Sequence, residues 1–330
     1  MANTINWGII GCGAVTEKKS GPAFNKVKGS KLMAVMRRDR DKAMDYALRH
    51  KVPRFYDHAQ DLIQDPEVNA VYVATPPDSH KDYAISAMKA GKPVYVEKPM
   101  ALNHAQCLEM IKVSEETGIP LFVAYYRRRL PGFVKIKELI DSGTIGKPLY
   151  FAIRYFSPAS KTDSTTPLPW RVIPEKSGGG YLHDLGSHHL DLIDYLLGPL
   201  EKATALAVNQ HNLYEPDDFI SAGFTGQNKI TGHGIWSFAA PDHATEDYME
   251  IIGDKGKITF SCFGFTHTRL IINGRSRYFV NKRPQHVQQN LIQSIVNELH
   301  GTGECPCKGV SAARTSRILD EMVNSASGNE

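Results

Sequence analysis

Long apolar runs are missing from this 330-residue chain. Nothing approaches the roughly 18 consecutive apolar residues of a membrane-spanning helix, so no membrane protein is expected. The opening residues pass almost at once into Ile5-Asn6-Trp7-Gly8-Ile9-Ile10, without the basic region, apolar core and cleavage site of a secretory signal. Cysteine is scarce: Cys12, Cys107, Cys262, Cys305 and Cys307 are odd in number and scattered. Cys305-Pro306-Cys307 holds one residue between its thiols, not the two of a redox motif, and no second pair completes a zinc site. Reduced thiols and a cytoplasmic location are the expectation. An excess of one charge is missing too. The 39 basic and 35 acidic residues are spread along the chain, without the concentrated basic face that nucleic-acid binding needs. No internal repeat is visible, and the length suits two domains of roughly 100–200 residues each.

What is present is a rhythm. Short runs rich in Val and Ile, at Ile5–Ile10, Lys31–Met36, Ala70–Ala74, Val94–Glu97 and Leu121–Ala124, read as strands that are apolar on both faces. Amphipathic stretches separate them at Asp39–Lys51, His58–Gln64, Ser79–Ala90 and Ala105–Thr117. This alternation predicts an α/β domain over residues 1–125, a doubly wound parallel sheet of Rossmann type. After Tyr125 the rhythm changes. Helices are expected at Gly132–Ser142 and Leu185–Leu197, among strands at Pro148–Phe156, Lys202–His211, Ile220–Gly226, Ile230–Phe238, Tyr248–Ile252 and Lys257–Ser261. Strand following strand predicts an α+β second domain over residues 126–330, with a large, mainly antiparallel open sheet. Helices at Gln285–Leu299 and Ala312–Asn324 close the chain, the last a candidate to pack back on the first domain.

The first strand runs into Gly11-Cys12-Gly13-Ala14-Val15-Thr16. Gly11 suits a tight turn and Gly13 lets backbone approach a pyrophosphate, so Gly11, Gly13, Ala14 and Val15 are candidates for dinucleotide binding. Thr16 replaces the third glycine of that fingerprint, and Gly21-Pro22 interrupts the first helix, so the loop alone is a weak signal. Its place at the head of the β/α rhythm strengthens it. The second strand ends in Met36-Arg37-Arg38-Asp39. Arginine there can bond a 2′-phosphate and stack on adenine, which favours NADP(H) with Arg37 and Arg38 as ligands. Asp39 could instead serve the ribose hydroxyls, which leaves NAD(H) open.

Three more segments follow: Thr75-Pro76-Pro77-Asp78-Ser79-His80, then Glu97-Lys98-Pro99, then Gly178-Gly179-Gly180-Tyr181-Leu182-His183-Asp184-Leu185-Gly186-Ser187-His188-His189-Leu190-Asp191. In this order behind a glycine loop, and with Gly143-Thr144-Ile145-Gly146, they resemble the Gfo/Idh/MocA family of oxidoreductases over essentially the whole chain. The resemblance implies an NAD(P)-dependent dehydrogenase or reductase acting on CH–OH groups of a sugar, sugar derivative or cyclic polyol. It implies that Lys98 contacts the substrate oxygen, that Glu97 lies by the nicotinamide ribose, and that His188 transfers the proton with Asp184 in support or binding substrate. The chemistry agrees. A histidine near its ordinary pKa can serve both directions near neutrality, and a carboxylate four residues away lies on the same face of a helix. Thr75, Pro76 and His80 join the cofactor set, His80 as a capping group at a helix start.

Relatives of two other kinds frame the alternatives: enzymes that cleave glycosidic bonds without net redox change, and dinucleotide sensors without the acid–base set. Lys98, Asp184 and His188 argue against the sensor. The resemblance also implies a homodimer or homotetramer built on the open sheet face. Tyr126 and Arg127, where the domains join, and Trp170-Arg171 are candidates to meet substrate, an aromatic face with polar neighbours suiting a sugar. His183 and His189 would point away from Asp184 and His188 on a regular helix, so no metal is expected. His189 and Asp191 read as helix-surface or substrate-fringe groups. Gly178–Gly180 reads as a close backbone approach to ligand or as a flexible loop. Lys161–Thr166 is too irregular to be assigned a role.

Overall fold

The computed structural model describes residues 4–265 and 267–328. They divide into two compact units, one running to Leu130 and resuming over Pro284–Ala313, the other Pro131–Arg283 with Arg314 onward. In the first, strands β1 (Ile5–Ile10), β2 (Ser30–Met36), β3 (Arg54–Tyr56), β4 (Ala70–Val73), β5 (Val94–Val96) and β6 (Leu121–Val123) pair in parallel in the order β3-β2-β1-β4-β5-β6. Strand order reverses at β1/β4, and the carboxyl ends of strands at such a point are where α/β sheets bind ligands. Strand positions such as Trp7, Ile9, Ile10, Val71, Tyr72, Val94 and Tyr95 are fully buried, which is why these strands are apolar on both faces. β3 escaped the sequence reading because Arg-Phe-Tyr is too short to show a period.

Helices α1 (Ala14–Lys18), α2 (Gly21–Phe24), α3 (Arg40–His50), α4 (Ala59–Gln64), α5 (His80–Lys89) and α6 (His104–Thr117) connect the strands. Asp39 caps α3 by accepting from Lys42 N at 3.1 Å, and Asn103 caps α6 through Gln106 N at 3.0 Å. The interruption expected at Gly21-Pro22 separates α1 from α2. A Cβ on Gly21 would overlap the Tyr46 hydroxyl of α3 and the Thr16 carbonyl, so the break leaves no room for a side chain.

The second unit holds α7 (Pro131–Asp141), β7 (Pro148–Phe156), α8 (Pro174–Ser177), α9 (Ser187–Leu197), β8 (Leu200–Val208), β9 (Phe219–Gly226), β10 (Thr231–Ser237), β11 (Glu246–Gly253), β12 (Gly256–Phe260), β13 (Thr268–Ile272) and β14 (Arg275–Phe279). The strands order as β14-β13-β12-β11-β7-β10-β9-β8, antiparallel except where β10 runs parallel to β7. Alternate residues Phe151, Ile153, Trp236, Met249, Ile251, Ile258 and Phe260 are buried. The outward positions carry polar and charged groups, with Arg154 bonded to Glu246 at 2.9 and 2.8 Å and Lys257 to Glu250 at 2.7 Å. One apolar and one polar face is the pattern of an open antiparallel sheet.

Helices α10 (Gln289–Leu299) and α11 (Gly309–Ala326) end the chain. By their contacts residues 284–313 group with the first compact unit. Phe122 bridges Lys308, Val123 N donates to Cys307 O at 2.9 Å, and Asn290 Nδ2 donates to Arg129 O at 3.2 Å. All of α10 and the first residues of α11, Gly309 to Ala313, lie in that unit. From Arg314 onward α11 is held to the second unit by the Arg314–Asp194 fork, 2.7 Å on both arms, and by Glu321 and Ser325 accepting from Ala203 N and Ala205 N.

Candidate active site

At the carboxyl edge of the first sheet the glycine loop leaves β1. Gly11 has φ +92°, and a Cβ there would stand 2.7 Å from Thr75 Cγ2 and 2.9 Å from Thr75 N. The loop therefore seats on the end of β4 in a way that only glycine allows. Gly13 is the reverse case: an added Cβ would meet nothing nearer than Gly11 O at 3.9 Å, leaving room for a pyrophosphate to approach backbone. Ala14 is exposed and Val15 partly so. Thr16, in place of the third glycine, is buried, donates to Gly13 O at 2.8 Å and accepts from Tyr46 OH at 2.9 Å. These residues fit a dinucleotide.

Beyond β2, Arg37 donates to Cys12 O at 3.4 Å, which brings its guanidinium to the glycine loop, while Arg38 is exposed. Asp39 is engaged elsewhere. It caps α3 and pairs with Lys42 Nζ at 2.7 Å, bonds that lower its carboxyl pKa.

Thr75 and Pro76 are half-buried, and Ser79 Oγ donates to Thr75 Oγ1 at 2.8 Å. His80 departs from its expected role: its side chain caps no helix. Buried completely, its ring nitrogens lie 2.8 Å from Thr75 O and 3.0 Å from Pro99 O, so it ties the β4 turn to the turn after β5. Burial lowers its pKa. In that second turn Glu97 is buried, its Oε2 accepts from Lys98 N at 3.2 Å, and Lys98 itself is half-buried before a cis Lys98–Pro99 bond. Tyr126 and Arg127, also of the first unit, are buried, the guanidinium 4.9 Å from the Tyr126 ring centre.

In the second unit Leu182–Gly186 is a π-helical turn that feeds α9. Single π turns inside helices are rare and cluster at functional sites. Asp184 lies in this turn and His188 in the first turn of α9, so the regular-helix geometry expected between them is replaced by a wider one. Asp184 Oδ2 accepts from Arg171 Nε at 2.8 Å, and the Arg171 guanidinium lies 4.6 Å from the Trp170 ring centre. Arg171 and Asp184 line a cavity of about 320 Å³ together with Ser157, Ser160, Thr162 and Tyr181, and Trp170 is not part of the lining. Thr162 comes from the stretch that had no role in the sequence. Neighbouring Asp163 is buried, accepts from Tyr181 OH at 2.6 Å and from Ser160 N at 2.9 Å, and so fixes the loop.

The helix-surface reading of two residues is overturned here. His189 and Asp191 are not surface groups but buried, with Trp236 Nε1 donating to His189 Nδ1 at 3.3 Å. Gly179 approaches the His183 imidazole and Gly180 approaches Pro216, so the glycine run serves the protein's own packing. His183 is pushed down to about 4 by burial. His188 is buried with its ring 5.8 Å from Phe263, whose loop is pinned by Asp247 accepting from Cys262, Phe263 and Gly264 amides at 2.8, 2.6 and 2.8 Å. Among the described residues no group of three or more His, Cys, Asp or Glu side chains is arranged to hold a metal, and no helix is long and apolar enough to cross a membrane.

Residues 5–125 match the oxidoreductase family with an NAD-binding Rossmann fold, and residues 133–259 match the Gfo/Idh/MocA C-terminal domain. Oxidoreductase P35 of Formosa agariphila is 39% identical over 325 residues, 97% of this chain and 98% of that protein. Inositol 2-dehydrogenase 2 of Saccharopolyspora erythraea is 31% identical over 216 residues, 65% of this chain and 60% of that protein. A levoglucosan dehydrogenase in complex with NADH and levoglucosan shares the fold with a TM-score of 0.87 at 22% identity, over 99% of this chain and 98% of its own.

Proposed function

The chain belongs to the Gfo/Idh/MocA family of oxidoreductases, and from that premise we propose that it moves a hydride between NADP(H) and a CH–OH group of a sugar, sugar derivative or cyclic polyol. The observation that carries the substrate class is the cavity of the second unit. Three hydroxyls, a tyrosine and the Arg171–Asp184 pair on an otherwise apolar wall are the mixture that recognises a polyol. One relative, by its name, acts on the cyclic polyol inositol. Arg37 at the glycine loop, with Asp39 committed to Lys42, supports the phosphorylated cofactor.

A nicotinamide, when bound, supplies the hydride chemistry. Gly11, Gly13, Ala14 and Val15 would present backbone to its pyrophosphate, Arg37 and Arg38 would hold the 2′-phosphate, and Thr75 and Pro76 would frame the ring end with His80 behind them. Glu97 would hold the ribose, and Lys98 would polarise the substrate oxygen. His188 would exchange the proton at that oxygen while Asp184, oriented by Arg171, binds the neighbouring hydroxyls and Tyr126, Arg127 and Trp170 border the substrate. A titration of the purified protein with NADPH and NADH, then absorbance at the reduced-nicotinamide band against a sugar and polyol panel, tests this. Tighter binding of NADPH with substrate-dependent oxidation or reduction is expected. Preference for NADH would remove the 2′-phosphate role, binding without net absorbance change would favour redox-neutral chemistry, and no binding would overturn the reading.

The open sheet face supports a homodimer or homotetramer. Leu206 and Val208 on β8 are 78% and 46% exposed beside the charged groups of that face, and an uncovered apolar edge usually meets a partner. Light scattering that shows only monomer at micromolar concentration would overturn it. Five unbridged, buried thiols support a reducing, cytoplasmic setting.

A further inference from the structure

Glu97 is held by residues that no sequence motif marks. Its Oε1 accepts two hydrogen bonds, from Tyr72 OH at 2.5 Å and from Gln288 Nε2 at 2.6 Å. Gln288 is fully buried just before α10, and its own Oε1 accepts from Tyr95 OH at 2.8 Å. Tyr72 and Tyr95 are register partners on β4 and β5, with rings stacked at 4.7 Å. The backbone of Gln288 is fixed as well, its N donating to Lys19 O at 3.3 Å. The amide orientation is set by the carboxylate: its nitrogen must donate to Glu97, and its oxygen then faces the Tyr95 hydroxyl at 2.8 Å and the Tyr72 hydroxyl at 3.4 Å. Burying a carboxylate at a sheet edge requires this many donors, since a buried charge left short of them is costly.

We propose that Gln288 is a positioning residue for cofactor binding: held by Tyr95, it orients the Glu97 carboxylate, and through Lys98 N the Lys98-Pro99 turn, toward the nicotinamide ribose. The proposal rests on the reading that Glu97 meets the cofactor. The chain's return after the second unit thereby brings a residue 191 positions away in sequence to the cofactor edge. Packing alone would not need it, because an aliphatic residue fills the same space; the carboxylate needs the donor.

The test is the Kd of NADPH, read by nicotinamide fluorescence on the full chain, for Glu97→Gln, Gln288→Met and Tyr95→Phe, each with its thermal midpoint with and without NADPH. Gln288→Met should weaken NADPH binding roughly ten-fold, in line with loss of a hydrogen bond to a charged group, and raise the cofactor KM more than it lowers kcat. Gln288→Glu places a second carboxylate against Glu97 and should weaken binding at least as much. Tyr95→Phe leaves the Gln288–Glu97 bond but reduces the hold on the amide oxygen to the 3.4 Å bond from Tyr72 OH, and should give a smaller change in the same direction, which serves if Gln288→Met does not fold. A lower midpoint with unchanged Kd in Gln288→Met and Tyr95→Phe would overturn the proposal and leave a structural role. If Glu97→Gln itself leaves the Kd unchanged, the underlying assignment of Glu97 fails, and the proposal with it.

Discussion

The two units present their functional groups differently. At the cofactor edge of the first, what is offered outward is largely backbone: Gly11 at φ +92° against Thr75, and Gly13 with open space before it. Two polar side chains there turn inward and hold loops, His80 to two carbonyls and Glu97 to Tyr72 and Gln288, while Asp39 pairs with Lys42 at the surface. In the second unit side chains do the presenting, with Ser157, Ser160, Thr162, Arg171 and Asp184 facing a cavity and a π turn leading into His188. A dinucleotide is a constant ligand that fixed backbone can fit, whereas substrate and proton need particular functional groups. Substitutions in the cofactor loops of the first unit, Lys98 apart, should therefore act on affinity, and those in the second on turnover.

A crossed pair of variants would break that contrast most directly. His188→Ala should lower kcat by roughly 10²–10⁴-fold, as expected for a lost general acid–base, with NADPH affinity near wild type. Gly11→Ala should do the reverse. Its methyl meets Thr75 on a backbone conformation that L-residues avoid, so NADPH binding should weaken by roughly ten- to a hundred-fold while kcat at saturating cofactor changes little. Steady-state kinetics with both cofactor and substrate varied would read both effects. Near-normal turnover in His188→Ala would remove that residue from proton transfer, and a Gly11→Ala enzyme slow at saturation would erase the distinction between the units.

The same contrast governs what could be read from the sequence. Except for the short β3, the strands of the first sheet announced themselves because burial on both faces demands mostly apolar runs, and β1, β2 and β4 begin and end within a residue of expectation. The glycine loop was legible because backbone conformation limits residue choice. The second sheet was legible as a class, but not the parallel seam between β7 and β10, since strand order lies in long-range pairing. Asp163 looked like loop composition, His189 and Asp191 looked like an exposed helix face, and Gln288 carried no local signal. Each takes its role from a partner distant in sequence or from a helix buried on all sides, which periodicity cannot report. The π turn was invisible for a similar reason: one residue's change of hydrogen-bond register leaves composition unaltered.

The smallest effect tests the scaffold behind the glycine loop. Glu17, on α1, is gripped by both terminal nitrogens of Arg49 at 2.9 and 2.8 Å and by His50 at 2.7 Å. Hydrogen bonds from Arg49 first, then His50, hold its carboxyl down to about 2, against burial that acts the other way. A carboxyl depressed in the folded state adds stability above its ordinary value near 4.5, and that stability is lost as pH falls from there toward 2. The side chain is 34% exposed, so solvent screening reduces the contribution to about 1 kcal/mol at neutral pH. Glu17→Gln should thus lower the thermal midpoint by roughly 2 °C at pH 7, and the gap to wild type should shrink below pH 4.5. NADPH affinity should stay within about two-fold, because the glycine loop is fixed by Gly11 on Thr75 and by Thr16 on Gly13, not by this ion pair. A midpoint difference independent of pH would mean that Glu17 acts through packing. A ten-fold loss of affinity would mean that the backbone of the cofactor loop depends on surface charges, and the contrast between the two units would have to be redrawn.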